Sequence, residues 1–269
     1  MSGMICVLGD AHLDVVVRHL GPVASDTDSP AQTLAGPGGQ AANVAAWVAE
    51  LGGRSRLVYA RGTDLAAGLV AADLTARGVV MAGPVVPGST GVVVSLSDGG
   101  TRRSMLTDRG VGPQIQVTDV RESWLEDCDW LHLPAYSLVS EPVGGAARAL
   151  AATARDRSVA LSIDLSSTAA LTGFGPAAFT ALLAGLRPDV IFGNAAEAAL
   201  ISAPPGADLV VKLGPAGVLA GGRRYPAAAA RAVDSTGAGD AFAAGYLLGG
   251  VSLGLAAAAR AVSKMGGMP

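Results

Sequence analysis

Short β-branched apolar segments alternate along the chain with alanine-rich segments of helical periodicity, and this alternation restricts the fold more than any other feature. Apolar β-branched residues favour strands at residues 5–8, 57–59, 92–96, 131–133, 159–163, 190–192, 209–211 and 218–220. Helical spacing favours helices at residues 40–51, 64–77, 143–155, 177–186, 195–201 and 238–248. Continuous apolar strands separated by helices predict a mostly parallel central sheet covered on both faces, in a three-layer α/β/α domain.

The composition excludes several classes of protein. Half of the 269 residues are hydrophobic and only 15% are charged, so the chain is neither disordered nor short of core material. A net charge of −3 and an aromatic content of 4% offer neither a basic patch nor a stacking surface, and no nucleic-acid partner is expected.

The expected location is the cytoplasm, without membrane insertion. The N-terminal residues lack a basic region followed by a long apolar one, and no glycine-free apolar segment approaches about 18 residues. Cys6 and Cys128 are too few for a disulfide framework, which fits a reducing compartment.

Two regions, about 11–35 and 85–112, interrupt the alternation of strands and helices. Both are mixed and polar, and the second contains a hairpin-type turn at residues 98–100. We expect them to form a small antiparallel flap, or lid, beside the main sheet. No internal repeat or linker divides the chain, so residues 1–269 are predicted to be a single domain.

Residues 234–242 carry the most specific chemical signal. Glycines and small residues precede a predicted helix, so backbone N–H groups at its N-terminus can approach an anion closely. Asp240 would lie beside that anion and could take a proton from an attacking hydroxyl. With an ordinary pKa of about 4 it would be ionised at neutral pH. In a second interpretation Asp240 only complements the helix dipole and the glycines form a tight turn.

A second glycine-rich segment, residues 36–43, also precedes a helix. Gln40 and Asn43 are three residues apart, so both amides lie on one face of the first helical turn, where they suit a polyol. In an alternative interpretation they are solvated or capping residues. The spacing of Gly36, Gly38 and Ala41 also fits a dinucleotide-binding pattern, but no clear strand precedes it directly.

Five collinear motifs over nearly the whole chain resemble the ribokinase-like carbohydrate kinases, the PfkB family. Asp14 falls at the position of the sugar-binding aspartate that follows the family's first strand. The motifs are GDAHLD (9–14), GGQAAN (38–43), NAAE (194–197), KLGPAG (212–217) and DSTGAGD (234–240).

The resemblance implies a ribokinase-like fold with a β-sheet lid, and transfer of the γ-phosphoryl group of ATP to a hydroxyl of a small sugar, with Asp240 as the base. It also implies an anion hole, formed by the backbone of Gly237, Ala238 and Gly239. The acceptor site would be formed by Asp14, Gly38, Gly39, Gln40 and Asn43. The nucleotide would be bound by Asn194, Lys212, Gly214 and Gly217.

The resemblance further implies ions and a partner. Glu197 and Asn194 would order Mg²⁺ through water, and Asp234 with Thr236 resembles half of a monovalent-cation site that could take K⁺. A homodimer through the lid is common among such proteins and is expected by analogy.

The chain departs from the family pattern at three places. Gln40 replaces a lysine frequent in ribokinases, which weakens an assignment of ribose as substrate. The family's D-x-N-x-R segment reads DLSS at residues 164–167. Only residues 241–269 follow Asp240, so an abridged helical end is expected, and the adenine pocket and the K⁺ site stay open questions.

Two other functions remain alternatives at this point. One is a nucleoside kinase of the same fold, which needs an apolar or aromatic shelf for its base; the low aromatic content argues weakly against it. The other is a non-catalytic sugar or nucleotide sensor, which would be expected to have lost Asp240.

Overall fold

The computed structural model describes residues 3–97 and 103–269, so the predicted turn at 98–100 lies outside the described residues. The strands are β1 (Met4–Leu8), β2 (His12–His19), β3 (Ala31–Gly38), β4 (Arg54–Val58), β5 (Val80–Ala82), β6 (Thr90–Ser97), β7 (Arg103–Gly110), β8 (Cys128–Pro134), β9 (Ala160–Asp164), β10 (Val190–Asn194), β11 (Asp208–Lys212), β12 (Val218–Ala220) and β13 (Arg223–Tyr225). The α-helices are α1 (Gln40–Glu50), α2 (Leu65–Ala76), α3 (Tyr136–Val139), α4 (Val143–Asp156), α5 (Thr168–Phe174), α6 (Pro176–Leu186), α7 (Ala195–Ala198) and α8 (Ala238–Ala261).

The described part of the chain forms a nine-stranded central sheet in the order β13-β12-β11-β10-β9-β8-β1-β4-β5. The strands from β11 to β5 pair in parallel, and β12 and β13 add an antiparallel edge. The predicted mostly parallel sheet is therefore confirmed.

Two hydrophobic cores lie on opposite faces of this sheet. On β1, Ile5 and Val7 point into the core packed by α1, α2 and α8, whereas Cys6 and Leu8 point into the core packed by α4 and α6. Side chains alternate between the faces of a strand, so a strand buried on both sides must be apolar at every position. This arrangement is the predicted α/β/α layering.

The lid is a separate four-stranded sheet in the order β3-β2-β6-β7. The β2–β3 and β6–β7 pairs are antiparallel, but β2 and β6 are parallel. The prediction of an antiparallel flap was wrong for this pair. The reason is that α1, β4, α2 and β5 lie between β2 and β6 in the chain, and a long crossover of this kind permits parallel pairing.

Helix α8 is broken in its middle. Gly249 and Gly250 have non-helical backbone angles, with φ of −153° and 75°, which explains the predicted end at residue 248. Within the described residues α8 is the one helix that is by itself long and apolar enough to cross a membrane, with a mean hydropathy of 1.6. Its buried residues instead pack against α1 in the first core.

The carboxyl ends of the central strands meet at one edge of the sheet, below the lid. Asp164, Asn194 and Lys212 are the last residues of β9, β10 and β11, and Asp10 follows β1. In open parallel sheets this edge is where ligands bind, so the topology brings the predicted site residues together there.

Candidate active site

A cleft of about 880 Å³ lies between the carboxyl edge of the sheet and the lid. Its wall includes residues from all five sequence motifs, together with two carboxylates that were not predicted as site residues, Asp10 of the first motif and Asp164. The predicted site residues that line it are Asp14, Gly39, Gln40, Asn43, Asn194, Glu197, Lys212, Gly214, Thr236, Gly237, Ala238, Gly239 and Asp240.

Asp240 joins the two glycine-rich motifs directly. It lies in the first turn of α8, and its Oδ2 accepts a hydrogen bond of 2.8 Å from Asn43 Nδ2 in the first turn of α1. The two residues are 197 positions apart in the chain. The predicted acceptor residue and the predicted base are therefore neighbours in one site.

The electrostatic environment of Asp240 differs from the sequence-based expectation. Burial raises its pKa to about 7; the hydrogen bond from Asn43 opposes this rise, while the carboxylates of Asp164 and Asp14 add to it and Lys212 opposes it. The expectation of an ordinary pKa was wrong, because the sequence does not reveal that other carboxylates surround this aspartate in a poorly solvated place.

The loop before Asp240 has the geometry of an anion site. Gly237 precedes α8 with a φ of +73°, and a Cβ there would overlap the backbone of Gly267. Amide groups at the start of a helix have no partner within the helix. The amide of Ala238 donates to Ser235 O at 3.3 Å, a long bond that an anion could replace.

Lys212 provides the positive charge beside this loop. Its Nζ donates to Asp164 Oδ2 at 2.6 Å and would lie 3.1 Å from a Cβ built at Gly239. Although burial alone would lower the pKa of Lys212, the adjacent Asp164 carboxylate, with Asp240 and Glu197, raises it above the usual value. The ammonium group therefore stays charged against the anion loop.

Three acceptor oxygens line the other end of the cleft. Asp14 Oδ1, Gln40 Oε1 and Asn43 Oδ1 are buried and have no hydrogen-bond partner among the described residues. His12 Nε2 lies 2.9 Å from Asp14 Oδ1, but not in hydrogen-bonding geometry. Gly38 is needed here because a Cβ would overlap the Asp14 carboxyl group. Buried acceptors without donors are costly unless a ligand supplies hydroxyl groups.

A contact between the lid and the core closes this end, and the sequence analysis did not find it. Arg109, on β7, donates to both oxygens of Asp10 at 2.7 and 3.1 Å and to Ser140 Oγ at 2.6 Å. The three residues come from distant parts of the chain. The sequence signals were that Asp10 lies two residues after a buried strand and within the first motif, at residues 9–14.

Asn194 and Glu197 form a reciprocal helix cap. The Glu197 carboxylate accepts from Asn194 N at 2.8 Å and from Asn194 Nδ2 at 2.7 Å, and Glu197 N donates to Asn194 Oδ1 at 2.9 Å. Burial raises the pKa of Glu197. A carboxylate has about four lone-pair directions, so two remain for water.

The residues of the predicted cation half-site hold the anion loop to the end of the chain. Asp234 Oδ1 accepts from the amide and the hydroxyl of Thr236, at 2.9 and 2.6 Å, and Oδ2 accepts from Gly266 N at 3.0 Å. Gly217 does not line the cleft; it has a φ of +93°, and a Cβ there would overlap Tyr225 O. Its predicted contact with a nucleotide stays a prediction.

A carboxylate, a lysine, a glycine loop at the start of a helix and three unpartnered buried oxygens in one cleft suit phosphoryl transfer to an alcohol. The chain belongs to the pfkB family of carbohydrate kinases, whose family model matches residues 2–268. It is therefore an enzyme that phosphorylates a small sugar or nucleoside.

Three similar proteins illustrate the range of the family. An ATP-dependent ribose-1-phosphate kinase of Halopiger xanaduensis is 30% identical, over 91% of this chain and 84% of the relative. A fructokinase of Escherichia coli is 29% identical, over 98% and 90%. A solved E. coli structure in complex with ATP and Mg²⁺ has a TM-score of 0.85 at 21% identity, over 99% and 94% of the two chains.

Proposed function

We propose that this enzyme transfers the γ-phosphoryl group of ATP to a hydroxyl of a small sugar, with Asp240 as the base. The contact between Asn43 and Asp240, at 2.8 Å, carries the proposal. A hydroxyl held by the unpartnered oxygen of Asn43 would lie close to the Asp240 carboxylate. That carboxylate would take the hydroxyl proton as the oxygen attacks phosphorus.

Lys212 and the anion loop would stabilise the transferring group. Lys212 Nζ would lie 3.1 Å from a Cβ built at Gly239, so its ammonium group is beside the loop whose amides would receive the transferring group. Because phosphoryl transfer requires mostly positioning and charge stabilisation, these groups supply the main catalytic elements. Asp164 would hold Lys212 in position through the 2.6 Å ion pair.

The donor set of Glu197 and Asn194 fits a hydrated Mg²⁺ rather than a directly bound one, since each side chain already holds the other. Magnesium prefers to keep several waters and, when bound with ATP, neutralises charge on its phosphates. Asn194 and Gly214 would line the nucleotide end of the cleft. K⁺ would be held near Asp234 and Thr236, beside the carbonyl groups of the chain end.

A nucleoside acceptor is the second candidate, and one observation favours it. Tyr136, at the start of α3, and Met105, on β7, both line the cleft and are 39% and 50% exposed. An aromatic ring and a thioether exposed in the same cleft would supply the apolar contacts that a nucleobase needs. The three unpartnered oxygens would then bind the ribose of the nucleoside.

The lid also offers a surface for a second copy of the chain. Leu34 and Leu106 are exposed on its two outer strands, β3 and β7, and the outer strands of a sheet carry unpaired backbone groups. We therefore include a homodimer through the lid in the proposal. We also propose a cytoplasmic location, because ATP is available there.

The experiment that tests the proposed function is ADP release against a panel of sugars and nucleosides, with ATP and Mg²⁺ present. Acceptor-dependent turnover with a sugar supports the first candidate, and turnover confined to nucleosides supports the second. ADP release that does not depend on any acceptor would contradict both.

A further inference from the structure

Arg109 lies at the acceptor end of the cleft, and each nitrogen of its guanidinium group makes one hydrogen bond, so three of its five N–H donors are engaged. Nε and Nη2 of Arg109 donate to the two oxygens of Asp10, and Nη1 donates to Ser140 Oγ. This two-point contact is the geometry in which arginine binds a carboxylate or a phosphate. Asp10 therefore occupies the Nε–Nη2 edge of Arg109, one at which a phosphate group would bind through two hydrogen bonds.

The remaining charges of the cleft do not compensate. Among the described side chains that line it, the other lysine or arginine is Lys212, which pairs with Asp164 beside the anion loop. Asp14 and Asp240 face the acceptor without an ion pair to lysine or arginine within that set. A phosphate group on the acceptor would therefore lie among carboxylates, while Arg109 and Lys212 are each held by an aspartate and His12 Nε2 lies 2.9 Å from Asp14 Oδ1.

The hydrogen-bonding groups lead to the same conclusion. The unpartnered atoms at the acceptor end include the oxygens of Asp14, Gln40 and Asn43, which accept hydrogen bonds, and His12 Nδ1, which donates or accepts according to its tautomer. Hydroxyl groups can donate to them, whereas a phosphate dianion brings only further acceptors. The site is complementary to a polyol with all its hydroxyl groups free.

We propose that this enzyme selects an uncharged acceptor over its phosphorylated counterpart, and that Asp10 sets this preference by occupying Arg109. The inference rests on the proposed function and deepens it, since it holds for a sugar and for a nucleoside alike. It also separates this chain from the relative named as a ribose-1-phosphate kinase, whose acceptor carries a phosphate.

The test compares acceptors in matched pairs whose phosphate leaves a primary hydroxyl free: ribose with ribose 1-phosphate, fructose with fructose 1-phosphate, and uridine or adenosine with its 3′-monophosphate. For the best acceptor, kcat/KM should exceed that of its phosphorylated partner by at least about a hundredfold, the effect of a missing charged contact. In Asp10→Asn, Arg109 loses its carboxylate partner, and the ratio should fall at least about tenfold because the phosphorylated member reacts faster.

Two further variants make the result unambiguous. Asp73→Asn removes a carboxylate that pairs with Arg77 on the surface of α2 and should leave the ratio unchanged. Arg109→Gln removes the cation itself, and the ratio of kcat/KM for the free acceptor to that for its phosphorylated partner should not fall. This result separates release of Arg109 from a general loosening of the lid. Thermal melting checks that both cleft variants are folded. A wild-type preference for the phosphorylated member, or an Asp10→Asn ratio equal to wild type, overturns the inference and leaves the proposed function standing. Turnover of neither member of any pair contradicts the proposed function and the inference with it.

Discussion

The raised pKa of Asp240 should appear as an acid limb near neutrality in the pH profile of the enzyme. A base must be ionised to accept a proton. With a pKa of about 7, Asp240 is half ionised at about pH 7, roughly a tenth ionised at about pH 6 and roughly a hundredth at about pH 5. The kcat/KM for the acceptor should therefore fall about tenfold per pH unit below about pH 6 and level off above about pH 8.

Asn43→Ala should move this limb to higher pH. The variant removes the hydrogen bond that holds the pKa of Asp240 down against burial. A hydrogen bond to a charged group contributes about 1.5–3 kcal/mol, and one pKa unit corresponds to about 1.4 kcal/mol, so the expected displacement is on the order of one unit. Asp164→Asn removes a carboxylate that raises the pKa of Asp240 and should move the limb to lower pH.

The assay is the initial rate of ADP release from about pH 5 to about pH 9, with MgATP saturating, so that titration of the nucleotide does not enter. Asp73→Asn, on the surface of α2, is the control and should reproduce the wild-type limb. A wild-type rate that stays level from about pH 8 down to about pH 5.5, as an aspartate with the ordinary pKa of about 4 would give, would refute the reasoning. So would an Asn43→Ala variant whose acceptor KM rises while its limb stays in place.

Three further outcomes are expected. Asp14→Ala should raise the acceptor KM at least about tenfold and leave the KM for ATP nearly unchanged, because the lost hydrogen bonds are to the acceptor; equal losses for both ligands would contradict this assignment. Glu197→Gln should raise the Mg²⁺ concentration needed for half-maximal rate, and an unchanged Mg²⁺ titration would leave Glu197 with its capping role alone. K⁺ should increase turnover relative to choline at equal ionic strength if a cation stiffens the loop at Asp234. Equal rates in the two salts would show that no K⁺ ion acts at this loop.

The central sheet was predictable because its strands are buried on both faces and must be apolar throughout. The lid was less predictable. Strands β2 and β3 are largely half-buried or exposed, so their residues are mixed and give little strand signal. The parallel pairing of β2 with β6 is set by the crossover between them, and no local pattern reports it.

Within the site, the motif residues could be predicted, but their pairings could not. The contacts of Asp10 with Arg109 and of Asp164 with Lys212 join residues 99 and 48 positions apart. Each aspartate follows or ends a buried strand and lies in a segment compared with the family pattern, but neither signal shows which cation it pairs with. The pKa of Asp240 depends on burial and on neighbouring carboxylates, and both are properties of the folded chain.

Ser166 illustrates a departure from the family pattern that the structure explains in part. It occupies the asparagine position of the D-x-N-x-R segment and has a φ of +64°, a region that asparagine tolerates better than serine. Its amide donates to Asp164 Oδ1 at 2.9 Å, and its hydroxyl donates to Asp164 O at 3.1 Å. These bonds keep the turn in place and hold the Asp164 carboxylate toward Lys212.

The most direct test of the central claim is a single-turnover measurement of phosphoryl transfer in Asp240→Asn, using γ-labelled ATP and the best acceptor from the panel. Asparagine keeps the shape of the side chain and removes its ability to accept a proton. The account predicts a transfer rate lower by roughly 10²–10⁴, with calorimetric affinities for ATP and acceptor that stay within a few fold of wild type. A transfer rate close to wild type, with both ligands bound, would show that Asp240 is not the base.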